Sequence, residues 1–198
     1  VFDAAPCAVS IKTRLGLREP EEFGPLLALF QRYPLAELIV HPRVQKDMYK
    51  NTPRRAYFAR ALADSPFPVC YNGDLYTVPA LEAFQAEFPA AERIMLGRGL
   101  AGDPALARKA EGGPAAGREE LRAFHDQVYE GYAEAFGSRR NAMLRMKEVW
   151  FFLIHLFEGG ERHDKKMRRL RTPGEYEAVE ASIFQELPLR DHAAGAFR

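Results

Sequence analysis

The stretch that decides the fold runs from Glu92 to Pro104 and reads Glu-Arg-Ile-Met-Leu-Gly-Arg-Gly-Leu-Ala-Gly-Asp-Pro. A short apolar run opens here into three glycines and an arginine. Glycine lets the backbone adopt positive φ angles and approach an anion closely, and a helix that begins here adds the favourable end of its dipole. The pattern is typical of a phosphate-binding turn, but more often of an ordinary turn between a strand and a helix.

Three similar units precede this stretch, each with an apolar strand, a polar end and a helical segment. The four predicted strands are Cys7 to Lys12, Ala36 to Val40, Pro68 to Tyr71 and Arg93 to Leu96. Apolar residues at helical spacing predict helices over about Pro20 to Tyr33, Pro53 to Ala63 and Pro79 to Phe88. Buried strands that alternate with helices predict a parallel sheet with right-handed connections.

Each predicted strand ends in, or is followed by, residues that can bind a ligand, at the end of the strand where a parallel α/β barrel places its functional groups. These residues are Lys12 and Arg14, His41 and Arg43, Asn72 and Asp74, and Gly97 and Arg98. A single polar residue at the end of a strand is usually only a loop residue. Such residues at the ends of all four strands favour a ligand site. A complete barrel takes about 250 residues, whereas these units occupy residues 1–111. We therefore expect an α/β fold that forms the second half of a TIM-type (β/α)8 barrel.

The composition changes in the glycine-rich segment from Glu111 to Gly117, which predicts a linker. From Arg118 onward the pattern is helical, so we expect an all-α helical bundle domain over residues 118–198. Apolar residues at spacings of three to four along its helices are more typical of a hydrophobic core than of a cofactor site. The sequence Thr-Pro-Gly-Glu at 172–175 predicts a capping box with proline in the first helical position.

Composition also limits the class of protein. The chain has 198 residues, of which 47% are hydrophobic, and no apolar run is long enough to span a membrane. It begins at Val1 without an initiator methionine, from which we expect a truncated sequence. Its two cysteines, Cys7 and Cys70, favour a reducing, cytoplasmic location, and we expect both to be buried structural thiols.

Positive charge is concentrated between Ser138 and Arg171, which we call the basic segment. It contains ten lysines and arginines against four acidic residues, whereas the whole chain has a net charge of only +1. Such asymmetry favours a polyanionic partner. A solvated helix face with intrahelical ion pairs explains the same pattern equally well.

Taken in order, the motifs resemble those of the tRNA-dihydrouridine synthases, flavoenzymes with an FMN-binding barrel and a helical domain. The segment Ser-Ile-Lys-Thr-Arg-Leu-Gly at 10–16 is similar to the family's Lys-x-Arg-x-Gly strand. His41-Pro42-Arg43, with Tyr49 downstream, resembles its His-Gly-Arg segment. The remaining similar segments are Asn72-Gly73-Asp74, Met95 to Gly99 with Pro104, and Asn141 to Lys147 before Trp150. The resemblance covers almost the whole chain.

The resemblance implies a cofactor site and a reaction. Lys12 and His41 would contact the isoalloxazine ring of FMN. Asn72, Gly73 and Asp74 would line its ribityl and phosphate side, and Gly97 and Arg98 would hold its phosphate. The implied reaction is reduction of the uridine C5=C6 bond in tRNA by hydride from reduced FMN, with NADPH as electron source. The expected tRNA contacts are Arg14, Arg43, Arg139, Arg140, Arg145, Lys147, Lys165, Lys166, Arg168 and Arg169.

The sequence also departs from the family pattern. The family's general acid is a cysteine in a Gly-Cys-Pro loop, which is not present here. We therefore expect this chain to lack its proton donor, and no catalytic residue is assigned. Pro42 replaces a glycine and stiffens the loop after His41. Two alternatives stay open: an inactive tRNA-binding module that self-associates through the open half-barrel, and another FMN barrel oxidoreductase that acts on a small molecule.

Overall fold

The computed structural model describes residue 2 and residues 6–193. These residues form two compact units, which divide after residue 97. The first unit holds residues up to 75 and residues 80–97, and the second holds residues 76–79 and those from 98 onward. The division therefore lies ahead of the glycine-rich segment at which the sequence predicts it. The reason is that the helix that starts at Arg98 packs on a long helix of the second unit.

The first unit is built on a four-stranded parallel sheet. Its strands are β1 (Ser10–Arg14), β2 (Glu37–His41), β3 (Val69–Tyr71) and β4 (Arg93–Ile94). They lie side by side in chain order, and all three pairings are parallel. The predicted parallel sheet is confirmed. Because the strands are all parallel, their carboxyl ends meet at one edge, which we call the carboxyl edge.

Three helices connect these strands: α1 (Phe23–Phe30), α2 (Arg55–Asp64) and α3 (Val78–Glu87). A short 3-10 helix over Pro20–Glu22 leads into α1. The core of this unit is aromatic, with Phe58, Tyr71 and Phe84 buried against one another. The ring centroids of Tyr71 and Phe84 lie 4.2 Å apart. Burial of these large rings removes a large apolar area from water and so stabilises the unit.

β1 begins three residues later than the sequence predicts and ends at Arg14. Lys12 therefore lies within the strand. Cys7 precedes the strand and is exposed, so its predicted burial is wrong. Cys70 is buried inside β3, as predicted, and its burial raises the pKa of the thiol to about 11.

The second unit is helical. Its helices are α4 (Arg98–Gly102), α5 (Leu106–Ala110), α6 (Arg118–Phe136), α7 (Arg139–Leu153), α8 (Glu161–Arg169) and α9 (Pro173–Glu186), with a 3-10 turn over Ile154–Leu156. Trp150 and Tyr176 are buried at the centre of its core. The predicted capping box is confirmed, because the Thr172 hydroxyl accepts from the Glu175 amide and the Glu175 carboxylate accepts from the Thr172 amide. Among the described helices, none combines the length and apolarity that crossing a membrane requires.

Candidate functional site

Arg43 and Asp74 join two strand ends at the carboxyl edge. Arg43 follows β2 by two residues, and its side chain is only 2% exposed. Its Nη1 donates to Asp74 Oδ1 at 2.9 Å, and its Nη2 donates to Oδ2. The pairing is bidentate, which adds geometric specificity to the charge attraction. The loop after β3 is thereby fixed against the end of β2.

His41, the last residue of β2, lies beside this ion pair. Arg43 Nη1 is 3.2 Å from His41 Nε2. The imidazole is buried, and this burial, together with the charges of Arg14, Arg43 and Lys12, lowers the pKa of His41 to about 4. The carboxylate of Asp74 opposes that shift only in part. The ring is therefore neutral near neutral pH.

Residues 43–54, which we call the β2 loop, are held by a buried carboxylate at Asp47. This carboxylate accepts from the Val44 amide at 3.0 Å, from Asn51 Nδ2 and from both terminal nitrogens of Arg54. The Arg54 hydrogen bonds are the largest cause of a pKa for Asp47 well below its usual range. The Arg54 amide donates to the Pro42 carbonyl at 2.7 Å. The loop is thus closed at its base and crosslinked at its centre.

The outer part of the β2 loop is held from β1. Arg14 Nη1 donates to the carbonyls of Val44 and Met48, each at 3.0 Å. Met48 has a φ of 52°, a left-handed conformation that is uncommon outside glycine. The Tyr49 ring that follows lies 6.2 Å from the His41 ring and 5.4 Å from the Arg14 guanidinium. A half-exposed aromatic ring therefore lies over the candidate histidine.

The segment after β3 is fixed by a side chain and by close packing. Asn72 Nδ2 donates to the Met95 carbonyl at 2.8 Å, which joins the end of β3 to the segment after β4. A Cβ atom added at Gly73 would lie 2.7 Å from the Tyr71 hydroxyl. Only glycine therefore fits at position 73 without a shift of the tyrosine.

Gly97 does not use the conformational freedom of glycine. Neither Gly97 nor Gly99 has a positive φ, and a Cβ at Gly97 would meet nothing within 4 Å. The positive φ angles that glycine permits are therefore not used at these two positions. Arg98 is the first residue of α4 in the second unit, and its guanidinium lies 5.4 Å from the Tyr76 ring.

The structure brings five of the predicted residues together at the carboxyl edge of the first unit: Lys12, Arg14, His41, Arg43 and Asp74. Lys12 is exposed in β1, opposite Ile39 of β2, and its charge acts on the His41 ring. The arrangement combines a lysine ammonium, a neutral imidazole and a buried ion pair. Such a set can bind a polar ring that carries carbonyl acceptors and develops negative charge.

Residues that organise this site carry no motif signal in the sequence. Asp47 and Asn51 read there only as polar residues of a loop, and Arg54 reads as part of the helix predicted from about Pro53. A cleft of about 720 Å³ beside the end of β1, bordered by Thr13, Arg14 and Leu26, also has no sequence signal. Clefts depend on how loops pack, which residue types alone do not determine.

The predicted RNA contacts in the second unit fall into two groups. Arg139 pairs with Glu130 and Glu177, Arg145 pairs with Glu148, and Arg168 pairs with Asp164, while Lys147 donates to the carbonyls of Arg168 and Leu170. In residues 6–193, no ion pair involves the other four, which are exposed: Arg140, Lys165, Lys166 and Arg169. Among the eight predicted contacts in the second unit, these four have an exposed charge that no ion pair in residues 6–193 compensates.

A second polar cluster lies in the core of the helical unit. Trp150 Nε1 donates to the Tyr176 hydroxyl at 2.9 Å, and that hydroxyl also contacts His125 Nε2. His125 Nδ1 lies 2.8 Å from Asp126 Oδ1. Burial raises the pKa of the neighbouring Glu180 to about 7. Three of these residues could hold a metal ion: His125, Asp126 and Glu180. A guanidinium, that of Arg122, already lies 3.6 Å from Glu180 Oε1.

Comparison with known proteins agrees with the resemblance. The family model described as dihydrouridine synthase matches residues 1–186. The tRNA-dihydrouridine(16) synthase of Cupriavidus necator is 32% identical over 108 residues, which is 54% of this chain and 33% of that protein. The tRNA-dihydrouridine(16) synthase of Pseudomonas putida is 34% identical over 98 residues, or 50% of this chain and 30% of that protein. The match thus spans about a third of each relative, whereas the family model covers most of the chain. The chain belongs to the dihydrouridine synthase family.

Proposed function

We propose that this chain forms the C-terminal part of an FMN-dependent tRNA-dihydrouridine synthase. The observation that carries the proposal is the cluster of His41, Arg43 and Asp74 at the carboxyl edge of a parallel sheet, in a chain of this family. The curated relatives are named for the formation of dihydrouridine in tRNA. We further propose that the four strands form the second half of a (β/α)8 barrel and that residues 118–198 form a tRNA-binding domain.

The residues at the carboxyl edge fit a flavin. Flavin offers carbonyl and ring-nitrogen acceptors, and its reduced form is anionic, so a nearby cation stabilises it. Lys12 supplies that cation, and His41 supplies a neutral ring in contact with Arg43. Asn72, Gly73 and Asp74 would line the ribityl side. For Gly97 and Arg98, the assignment to the FMN phosphate rests on the resemblance.

When bound, FMN supplies the hydride that reduces the uridine C5=C6 bond, and NADPH is the proposed electron source. The protein would contribute a binding site in which the positions of the polar and charged side chains are already fixed. The carboxylate of Asp74 is held by Arg43, and the β2 loop is closed by Asp47. The edge is therefore ordered before any ligand arrives, which lowers the entropic cost of binding.

The structure changes the role that we propose for Arg43. At 2% exposure, with its nitrogens committed to Asp74, it is poorly placed to reach a tRNA molecule. We assign it to the positioning of His41 and Asp74. Arg14 stays the proposed tRNA contact in the first unit, because its guanidinium is partly exposed beside the half-exposed Tyr49.

Neither cysteine suits the proton donor. Cys70 is buried in β3, with its pKa raised to about 11, and Cys7 precedes β1, on the side away from the carboxyl edge. In a parallel barrel, chemistry occurs at the carboxyl ends of the strands. We propose that the general acid is a group other than these two thiols.

The basic segment supports tRNA as the substrate. We propose that Arg140, Lys165, Lys166 and Arg169 contribute most of the phosphate attraction, because they form no ion pairs in residues 6–193. Arg139, Arg145, Lys147 and Arg168 stay in the proposed footprint, with weaker contributions, since acidic partners or backbone carbonyls already engage them. We also propose a cytoplasmic location.

One experiment tests the proposed function. Unmodified tRNA is incubated with the natural-length protein, FMN and NADPH, and its nucleosides are analysed by mass spectrometry. We expect uridine to gain two hydrogens and become dihydrouridine. A protein that binds the tRNA but reduces no uridine would favour the inactive binding module, and oxidation of NADPH by small molecules only would favour a different flavin oxidoreductase.

A further inference from the structure

We propose that Arg43 and Asp74 hold His41 as the neutral tautomer whose proton is on Nδ1, so that the ring acts as a hydrogen-bond donor to a ligand carbonyl and not as a general acid. The identity of that ligand rests on the proposed function. The tautomer itself does not, because residues of this chain alone determine it.

The contact between Arg43 and His41 decides which ring nitrogen carries the proton. Arg43 Nη1 lies 3.2 Å from His41 Nε2. A guanidinium has five N–H donors and no acceptor, so the imidazole nitrogen must accept this hydrogen bond. A proton on Nε2 would place two N–H groups against each other. The proton of the neutral ring is therefore on Nδ1.

Arg43 has little freedom to leave this position. Its two terminal nitrogens donate to Asp74, and its Nε donates to the Asn51 carbonyl. The Asn51 side chain in turn donates to Asp47, which anchors the β2 loop. Every nitrogen of the buried guanidinium thus has a partner, and rotation would leave several buried polar groups unsatisfied at once.

The charges that face His41 come from three elements. β1 contributes Lys12 and Arg14, the β2 loop contributes Arg43, and the segment after β3 contributes Asp74. Three cations therefore oppose one carboxylate, and that carboxylate is already shared with Arg43. The Tyr49 ring lies over the imidazole. A second proton on the ring is disfavoured by all three cations and by burial.

A neutral ring with Nδ1–H has a defined chemical use. It can donate one hydrogen bond to a carbonyl oxygen or to an unprotonated ring nitrogen, which are the acceptors that a flavin or a uracil offers. It has no readily released proton near neutral pH, since a neutral imidazole is a very weak acid. His41 is therefore not a substitute for the cysteine that the sequence lacks.

The test is an NMR measurement on the ¹⁵N-labelled full chain without FMN or tRNA. Long-range ¹H–¹⁵N spectra distinguish a protonated from an unprotonated ring nitrogen, and the chain has five histidines. The signals of His41 are assigned by their loss in His41→Asn. We expect a protonated Nδ1, an unprotonated Nε2 and no titration between pH 8 and about 5. A protonated Nε2, or titration near the ordinary histidine pKa, would overturn the inference.

Two variants separate charge from geometry. Arg43→Gln removes the cation and releases Asp74, so the His41 pKa should rise by about 1 to 3 units. Arg43→Lys keeps the charge and a donor that has no acceptor, so the ring should stay neutral with its proton on Nδ1. The control is Arg93→Lys, which alters an exposed ion pair with Glu37 in the same sheet and should leave the His41 spectrum unchanged.

If Arg43→Gln does not fold, the wild-type tautomer still decides the inference. A proton on Nε2 in Arg43→Lys would also contradict it, because a donor without an acceptor would then face a protonated nitrogen. Failure of the protein to bind FMN or to reduce tRNA would leave the tautomer result intact. Failure of the inference is therefore distinguishable from failure of the proposed function.

Discussion

The Arg43 guanidinium donates hydrogen bonds to both carboxylate oxygens of Asp74, a residue 31 positions further along the chain. Three consequences of this pairing can be seen in the structure. It fixes the loop after β3 to the end of β2, it places a donor against His41 Nε2, and it leaves Arg43 buried. The sequence resemblance assigns Arg43 to tRNA binding, but in the structure its side chain contacts other residues of the candidate site.

Asp74→Asn should destabilise the protein. The change leaves a buried guanidinium with one neutral acceptor where it had a carboxylate, and the loss should be about 1.5 to 3 kcal/mol. Urea unfolding measures it. Glu87→Gln is the matched control, because it removes the charge from an exposed partner of Arg55 and should cost less than about 1 kcal/mol. Equal losses for the two variants would show that burial of the pair is unimportant.

His41 should make stability fall in mild acid. Its folded pKa of about 4 lies below the ordinary value of 6.5, so the unfolded state binds a proton first as the pH falls. The contribution is fully present above pH 6.5 and is lost as the pH falls towards about 4. The stability difference between wild type and His41→Asn, from urea unfolding at several pH values, should shrink over that window. A difference that does not depend on pH would contradict a buried neutral ring.

Glu180 should make the folding stability fall as the pH rises, which is opposite to the effect of His41. Burial raises its pKa to about 7 from the ordinary 4.5, so the folded state keeps a proton that the unfolded state has released. Stability from this group is complete below pH 4.5 and is lost as the pH rises to about 7. Glu180→Gln should therefore gain stability relative to wild type across this window. The comparison uses thermal or urea unfolding, and no gain at pH 7 would refute the assignment.

Sequence patterns predict the parts of this fold that depend on local chemistry. Runs of apolar residues such as Ala36 to Val40 predict the strands, and the Thr172 capping box predicts the start of α9. The register of the parallel sheet follows from long-range pairing, which no local pattern encodes. For this reason, the end of β1 at Arg14 and the exposure of Cys7 differ from prediction.

Residue types also predict which strand ends carry the candidate site. They do not predict which of its side chains are buried or which side chains hydrogen-bond to one another. Lys12, His41 and Asp74 can be chosen from sequence because polar residues follow apolar strands. The burial of Arg43 cannot be predicted from the sequence, since an arginine in a loop is usually exposed. Asp47 has no sequence signal either, because its partners belong to the packed loop. Gly97 and Gly99 have no positive φ angle, because a glycine permits such angles without requiring them.

The basic segment should bind tRNA mainly through its unpaired cations. Lys166→Gln should weaken tRNA binding and reduce the slope of log affinity against log salt by about 1. Arg145→Gln is the control, because Arg145 already pairs with Glu148 and should have the smaller effect. Gel shifts at several salt concentrations measure both variants. If the two lose the same affinity, or if affinity does not depend on salt, the proposed footprint is incorrect.

The flavin content of the natural-length protein tests the central claim most directly. It can be measured by absorbance after purification, in wild type, in Lys12→Gln and in Lys46→Gln, where Lys46 is an exposed lysine of the β2 loop. We predict about one FMN per chain in wild type and in Lys46→Gln, and a loss of at least half of it in Lys12→Gln, because the Lys12 ammonium would donate a hydrogen bond to a carbonyl oxygen of the bound isoalloxazine ring. A colourless wild-type protein, or an unchanged flavin content in Lys12→Gln, would contradict the account.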